Sequence, residues 1–365
     1  MNRPPRGRRS GNSRWTESNI AGVLPVFKPA GPTSHDIVQI ARKALNERAI
    51  GHTGTLDPAA EGLLLLCIGP YTKLVPFLTE SDKTYSGEIG LGIETTTDDR
   101  EGAPTLIADC AAATEERVRN FAQRFVGDIE QIPPRYAAVK IDGKKLYEYA
   151  RENQEVHVDP RPVTVHSFNI FSMREAPFPA EILARTEEGR IATTDLPRPE
   201  MKFRVAQFET RVSSGTYVRA LARDLGRELG CGGYLASLVR TAVGRYDSQN
   251  AISVEELREN PAAADQYLIR GSNALDPSRY STFPILRGFQ SRLIQGQPIM
   301  EKMLEDPTAA ANVKSGAVVG ISSDDGALLA IMQAERFEQH AEQNVYGTRF
   351  LVHFKPLRIF PTGLK

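Results

Sequence analysis

The chain has 365 residues, enough for two domains and a sizeable core, and 45 Lys+Arg against 45 Asp+Glu leave it without net charge. A global basic field is thereby excluded, so any nucleic-acid surface has to be local. The three cysteines form no CxxC pair, which argues against a zinc or disulfide framework and fits a reducing, cytoplasmic setting, and no run approaches the ~20 apolar residues that span a bilayer.

Residues 1–19 are rich in Arg, Gly, Pro and Ser with no apolar segment behind them, which predicts a disordered, solvated basic arm rather than a secretory signal. "VLPVFKPAGPTS" reads as a short strand and a Pro/Gly turn. Ser34 then stands where it can cap "HDIVQIARKAL", a helix with Ile37, Ile40, Ala41, Ala44 and Leu45 on one face. "GHTGTLDPAAEG" is a glycine-bounded loop. Taken alone, its Asp57 reads as a capping carboxylate with Pro58 in the first helical position. "LLLLCIG" is a buried strand, and "KTYSGEIGLG" alternates like a strand with one wet face.

The acidic string holding Glu94, Asp98, Asp99 and Glu101 reads as a polar turn rather than a magnesium site, and the histidines show no metal-ligand spacing. Thr114 precedes a helix through Val118, Phe121, Ala122 and Phe125 that Gly127 can close. "KIDGKKLYEYAR" is a tight turn entering a helix. Strand-like "VTVHSFNIFSM" and "KFRVAQFETRV" flank a long hairpin excursion at about 174–200. "DPSRYSTFP" reads as a linker, dividing a body over 20–282 from a small β-rich module over 283–365.

In "ETRVSSGTYVRALARDLGRELG", Gly215 permits a sharp turn and Thr216 or Ser214 can cap a helix with the apolar stripe Val218, Leu221, Ala222, Leu225 and Leu229, closed by Gly230. Arg219, Arg223 and Arg227 recur every fourth residue. The last two read as a solvated face paired with Asp224 and Glu228. Arg219 sits in the first turn, where the helix dipole penalises a cation by ~0.3–1 kcal/mol, so it calls for a carboxylate. A fixed guanidinium holds a carboxylate bidentately and favours its ionised form; Asp57 is a candidate partner.

Five stretches then agree in order and spacing: "GHTGTLDPAAEG", "SDKTYSGEIGLG", "IPPRYAAVKIDGKKLYEYAR", "SSGTYVRALARDLG" and "LGCGGYLASLVRTAVGRY". Through them the chain resembles bacterial tRNA pseudouridine synthases of the TruB family, which modify uridine 55 in the T-loop, from about Leu24 to Tyr246 and more weakly beyond. The resemblance implies an α+β pseudouridine-synthase fold, with a mixed, mainly antiparallel sheet flanked by helices and a small C-terminal PUA-like β-barrel that grips RNA. It implies a monomer that binds the tRNA T-stem-loop without metal or cofactor. By the same resemblance Asp57 is the essential aspartate, Tyr85 stacks on the target base and Arg219 pairs with Asp57. Tyr217 and Leu238 line the base pocket, His52 helps displace and hold the flipped nucleotide, and Lys28 and Lys73 lie near the RNA.

The chemistry fits those residue types. Isomerising uridine breaks the C1′–N1 bond, turns the bound uracil and rejoins it through C5, with no redox change. It calls for a carboxylate, a π-face that retains the loose base and a dry pocket. Whether the carboxylate attacks C1′, adds to C6 or removes the 2′ hydrogen is open at this level. A stacked T-loop base must also be flipped, at a cost of a few kcal/mol.

Overall fold

The computed structural model describes residues 20–365 except 138, 153, 155, 189–190, 193–195 and 340–348; the basic arm at 1–19 lies outside the described residues. The chain begins with β1 (Gly22–Lys28), α1 (Ser34–Leu45), β2 (Ile50–His52) and β3 (Glu61–Ile68). After a 3₁₀ turn at Gly69–Leu74 come α2 (Val75–Thr79), β4 (Lys83–Leu91), the pair β5 (Ile93–Thr95) and β6 (Pro104–Ile107), α3 (Glu115–Gln123) and β7 (Gly127–Gln131). The short ribbon β8 (Lys140–Ile141) and β9 (Lys144–Lys145) enters α4 (Leu146–Arg151), and the long strands β10 (Arg161–Ala176) and β11 (Phe203–Val212) bracket α5 (Ala180–Leu183). Next are α6 (Val218–Leu229), β12 (Gly233–Val243), β13 (Tyr246–Asp247), β14 (Ile252–Ser253), α7 (Val254–Glu259) and α8 (Ala264–Tyr267). The C-terminal part holds β15 (Thr282–Pro284), α9 (Gln290–Ile294), β16 (Ile299–Met300), α10 (Pro307–Ala310), β17 (Val318–Ser322), β18 (Leu328–Gln339) and β19 (Arg349–Leu364).

Eight strands run in the order β14-β1-β3-β12-β4-β11-β10-β7, with β2 beside β3 and β13 beside β12. The β1/β14 and β3/β12 contacts are parallel and the others antiparallel, so the sheet is mixed and mainly antiparallel. The run "LLLLCI" is continuous because β3 is covered on both faces. Leu64, Leu66 and Ile68 pack with Ile37 and Ala41 of α1 and Leu257 of α7, while Leu63, Leu65 and Cys67 pack with Tyr71, Leu74 and Leu78. Each such leucine contributes about 1.5–3 kcal/mol of burial. Further along the sheet, the expected stripe of α6 packs with Val118 and Ala122 of α3 over Ile89, Phe168, Phe208 and Leu235.

The C-terminal strands form a second sheet, β15-β17-β18-β19-β16, curled as a PUA-like half-barrel. It docks on the large sheet. Leu328, Ile331, Phe360 and Leu364 share one core with Leu63, Leu65 and Tyr71. The segment read as a linker is therefore packed: Asp276 and Tyr280 are buried, and the Tyr280 hydroxyl donates to the Phe77 carbonyl at 2.9 Å.

Three caps differ from expectation. Thr33, not Ser34, caps α1 in a reciprocal box with Asp36, because the Ser34 hydroxyl is engaged by Leu56. Helix α3 stops at Gln123 with Arg124 still right-handed, and Gly127, at φ +115°, opens β7 instead of closing the helix. Tyr217 is the N-cap of α6, and its backbone is held by the Gln131 side-chain amide, which accepts from Tyr217 N (2.8 Å) and donates to Tyr217 O (3.1 Å).

Candidate active site

The loop at 53–60 joins β2 to β3 outside regular secondary structure, so its carbonyls need other donors. Two buried cations supply them. Lys28 at the end of β1 is fully buried and donates from Nζ to Pro58 O (3.1 Å) and Ala60 O (2.7 Å). Arg240 of β12, 2% exposed, donates to Leu63 O (2.7 Å), Gly54 O (3.1 Å) and Thr55 O (3.4 Å). Ser34 completes the clamp: its hydroxyl accepts from Leu56 N at 2.8 Å and lies 3.2 Å from Leu56 O. Gly62 is required at the exit of the loop, since its φ is +107° and a Cβ there would come within 2.3 Å of Arg240 O.

So held, the loop presents Asp57. Its main-chain carbonyl closes a turn with Ala60 N (3.1 Å), while its carboxylate meets Arg219 of α6, Nε to Oδ2 at 3.0 Å and Nη2 to Oδ1 at 3.5 Å. The side chain thus faces the guanidinium rather than capping its own turn. Arg219 is 6% exposed, and its remaining donors go to Thr97 O (3.0 Å), Tyr136 O (3.3 Å) and Asp99 Oδ2 (3.4 Å). One guanidinium therefore serves two carboxylates, Asp57 partly open to solvent and Asp99 enclosed.

Asp99 belongs to a ladder that sequence reading missed. Arg223 meets Asp98 at 2.9 Å as well as its neighbour Asp224 at 2.8 Å, and Arg227 meets Glu94 rather than Glu228, at 2.8 Å. Arg223 is 8% exposed, so the solvated face expected for it is instead an interface with the loop at 94–99. Burial pushes the carboxyls of Asp98 and Asp99 above their ordinary range against the pull of Arg223 and Arg219.

Asp57 and Arg219 border a cleft of about 470 Å³. Tyr85, Tyr136, Tyr147, Tyr217 and Leu238 also line it, so the structure brings together Asp57, Arg219, Tyr85, Tyr217 and Leu238 of the residues named from sequence. Lys83 and Arg240 line it too. Burial pulls the Lys83 ammonium down to about 8; it donates to Thr79 O and to Ser81 O (2.7 Å). Burial likewise raises the Tyr217 phenol and lowers Lys28.

Three residues are placed elsewhere. Lys28, expected beside RNA, faces inward as described. His52 stands outside the cleft lining, its Nδ1 accepting from Gly54 N at 3.3 Å, and burial with Arg240 nearby lowers its pKa, which favours the neutral imidazole. Lys73 is exposed, with Nζ 5.8 Å from the Phe360 ring at the seam between the two sheets.

Known proteins share this framework. A family model described as the TruB family pseudouridylate synthase N-terminal domain matches residues 42–218, and one described as the tRNA pseudouridylate synthase B C-terminal domain matches 219–277. The tRNA pseudouridine synthase B of Bacillus cytotoxicus is 42% identical over 242 residues, covering 66% of this chain and 72% of that relative. That of Deinococcus deserti is 40% identical over 252 residues, covering 67% and 80%. Among solved structures, a chain of a Cbf5-Nop10-Gar1 complex matches with a TM-score of 0.63 at 21% identity, covering 93% of this chain and 84% of that one. A chain of an H/ACA RNP bound to a substrate RNA containing 2′-deoxyuridine matches with a TM-score of 0.60 at 20% identity and the same coverage, a likeness of fold. With two domain models in succession and relatives at this identity over most of their length, the chain belongs to the TruB family of pseudouridylate synthases.

Proposed function

We propose that this enzyme isomerises uridine to pseudouridine at position 55 in the T-loop of tRNA, acting in the cytoplasm. Support comes from the curated relatives, which are named tRNA pseudouridine synthases, and from one geometric observation: the Asp57 carboxylate, 3.0 Å from Arg219, at a cleft walled by Tyr85, Tyr217 and Leu238. In this reading Arg219 orients the carboxylate toward the flipped nucleotide. Tyr85 and Tyr217 give the detached uracil π-faces, and Leu238 keeps water from the C1′–N1 bond as it breaks. His52, planar at the edge of the loop, serves as the wedge that fills the emptied stack, and the half-barrel grips the RNA at a point remote from the cleft. The reaction is an isomerisation, so its atoms and electrons balance within the substrate.

The test is to incubate an unmodified tRNA transcript with the enzyme and map pseudouridine by carbodiimide labelling and primer extension. A single stop one nucleotide to the 3′ side of position 55 is expected. Product only at other positions, or only in ribosomal or messenger RNA fragments, would overturn the assignment.

A further inference from the structure

Next to the cleft lies a second concavity, of about 600 Å³, that the chemistry above does not use. Its walls include Ser81, Asp82, Arg211, Arg245, Asp276 and Arg279. The two spaces adjoin where β4 begins. Lys83 lines the cleft while Ser81 and Asp82 line the second concavity, and Arg211 follows Thr210, the register partner of Tyr85. Any strand of RNA leaving the cleft along this edge would pass over it.

With Glu80 just outside the lining the charges of the groove balance, but one guanidinium is left unpaired among the described residues. Three guanidinium groups from separate segments face two carboxylates. Asp82 Oδ2 is shared by Arg211 (2.9 Å) and His166 Nε2 (3.1 Å), and Asp276 Oδ1 is turned onto Ser278 N (3.0 Å) and Ser278 Oγ (2.7 Å). Arg279 is taken up by Glu80, through its carboxylate and its carbonyl (2.7 Å). Arg245 is exposed, and its side chain makes no hydrogen bond or ion pair among the described residues. The backbone leading into it is nonetheless fixed. Gly244 donates to Asp82 O at 2.8 Å, has φ +52°, and lies so close to the wall that a Cβ there would come within 2.6 Å of Asp276 Oδ2.

We propose that this groove binds the phosphate backbone of the RNA strand flanking the flipped nucleotide, with Arg245 as the principal contact and Arg211 exchanging its exposed pairing with Asp82 for a phosphate oxygen. The inference rests on the reading of the protein as a tRNA-modifying enzyme. An exposed ion pair contributes little and is readily exchanged, whereas a guanidinium meets a phosphate through two parallel charge-assisted bonds. In a chain of zero net charge, such local sites have to supply the affinity for a polyanion.

The experiment measures the Kd of the full-length enzyme for a T-stem-loop RNA across a range of KCl concentrations, together with single-turnover product formation. Arg245→Gln is expected to weaken binding about tenfold and to reduce the slope of log Kd against log salt by about 1, with the rate at saturating RNA retained. Arg245→Lys should restore the slope, and Arg245→Glu should weaken binding further. Wild-type affinity and slope in both Arg245→Gln and Arg245→Glu would overturn the groove, as would a loss of affinity with no change in slope. Because binding is read apart from product, the two failures separate. A wild-type enzyme that makes no pseudouridine in this RNA defeats the proposed function, whereas one that makes it while Arg245→Glu binds normally defeats the groove alone.

Discussion

Replacing Arg240 by methionine tests whether the 53–60 loop is held by a buried cation. Methionine keeps most of the aliphatic volume but withdraws the donors at 2.7, 3.1 and 3.4 Å from Leu63 O, Gly54 O and Thr55 O. An orphaned buried carbonyl costs about 1–3 kcal/mol. The long contact to Thr55 adds little, and relief of the guanidinium's own desolvation offsets part of the rest, so the net loss should be roughly 3 kcal/mol. Lys28 and Ser34 still hold the far side of the loop, so the variant should fold with the Gly54–Thr55 end loosened. Asp57 would then drift from Arg219, and displacement of a reacting group by about 1 Å costs on the order of 100-fold in rate. Urea unfolding and single-turnover pseudouridylation read the two effects. A variant with the wild-type urea midpoint and a rate within twofold of wild type would refute the clamp.

Lys83 makes a pH prediction. Its folded pKa of about 8 lies below its ordinary 10.5, so between those values the unfolded chain binds more protons and stability rises with pH. Below pH 8 the penalty of burying the ammonium is complete, and above 10.5 it is gone. Relative to Lys83→Met, the wild type should gain about 1–2 kcal/mol in urea unfolding between pH 7.5 and 9.5, and a constant difference would contradict this. A third prediction concerns Gly226, where an added Cβ would fall 2.1 Å from Gly233 N. Gly226→Ala should push α6 off β12, cost roughly 3 kcal/mol by thermal melting and lower activity because Arg219 rides on that helix; a melting temperature equal to wild type would show that the contact is not needed.

What was legible in the sequence was what repeats at short range. The stripe of α6, closed by Gly230, and the apolar run of β3 carry their own periodicity, and Thr114 announces α3 by the two glutamates behind it. The roles of Lys28 and Arg240 were not legible, because a buried cation bonded to main-chain carbonyls leaves no pattern in side-chain chemistry. The arginine ladder was half visible. Three arginines at every fourth residue were plain, but local reasoning offered only Asp224 and Glu228 as partners, while Glu94, Asp98 and Asp99 lie more than a hundred residues away. A signal was present all the same, in the cluster of acidic residues Glu94, Asp98, Asp99 and Glu101, which has no local basic run to pair with. The packed segment at Asp276–Pro284 was misread because Pro, Ser and Asp dominate it; Tyr280, an aromatic in a polar stretch, was the clue to docking.

The proposed chemistry depends on the carboxylate of Asp57. Asn at this position keeps the size and most hydrogen bonding of the side chain while removing its charge, so Asp57→Asn should bind a T-stem-loop RNA within about twofold of the wild-type Kd yet form no detectable pseudouridine. Pseudouridine made by Asp57→Asn at the wild-type rate would contradict it.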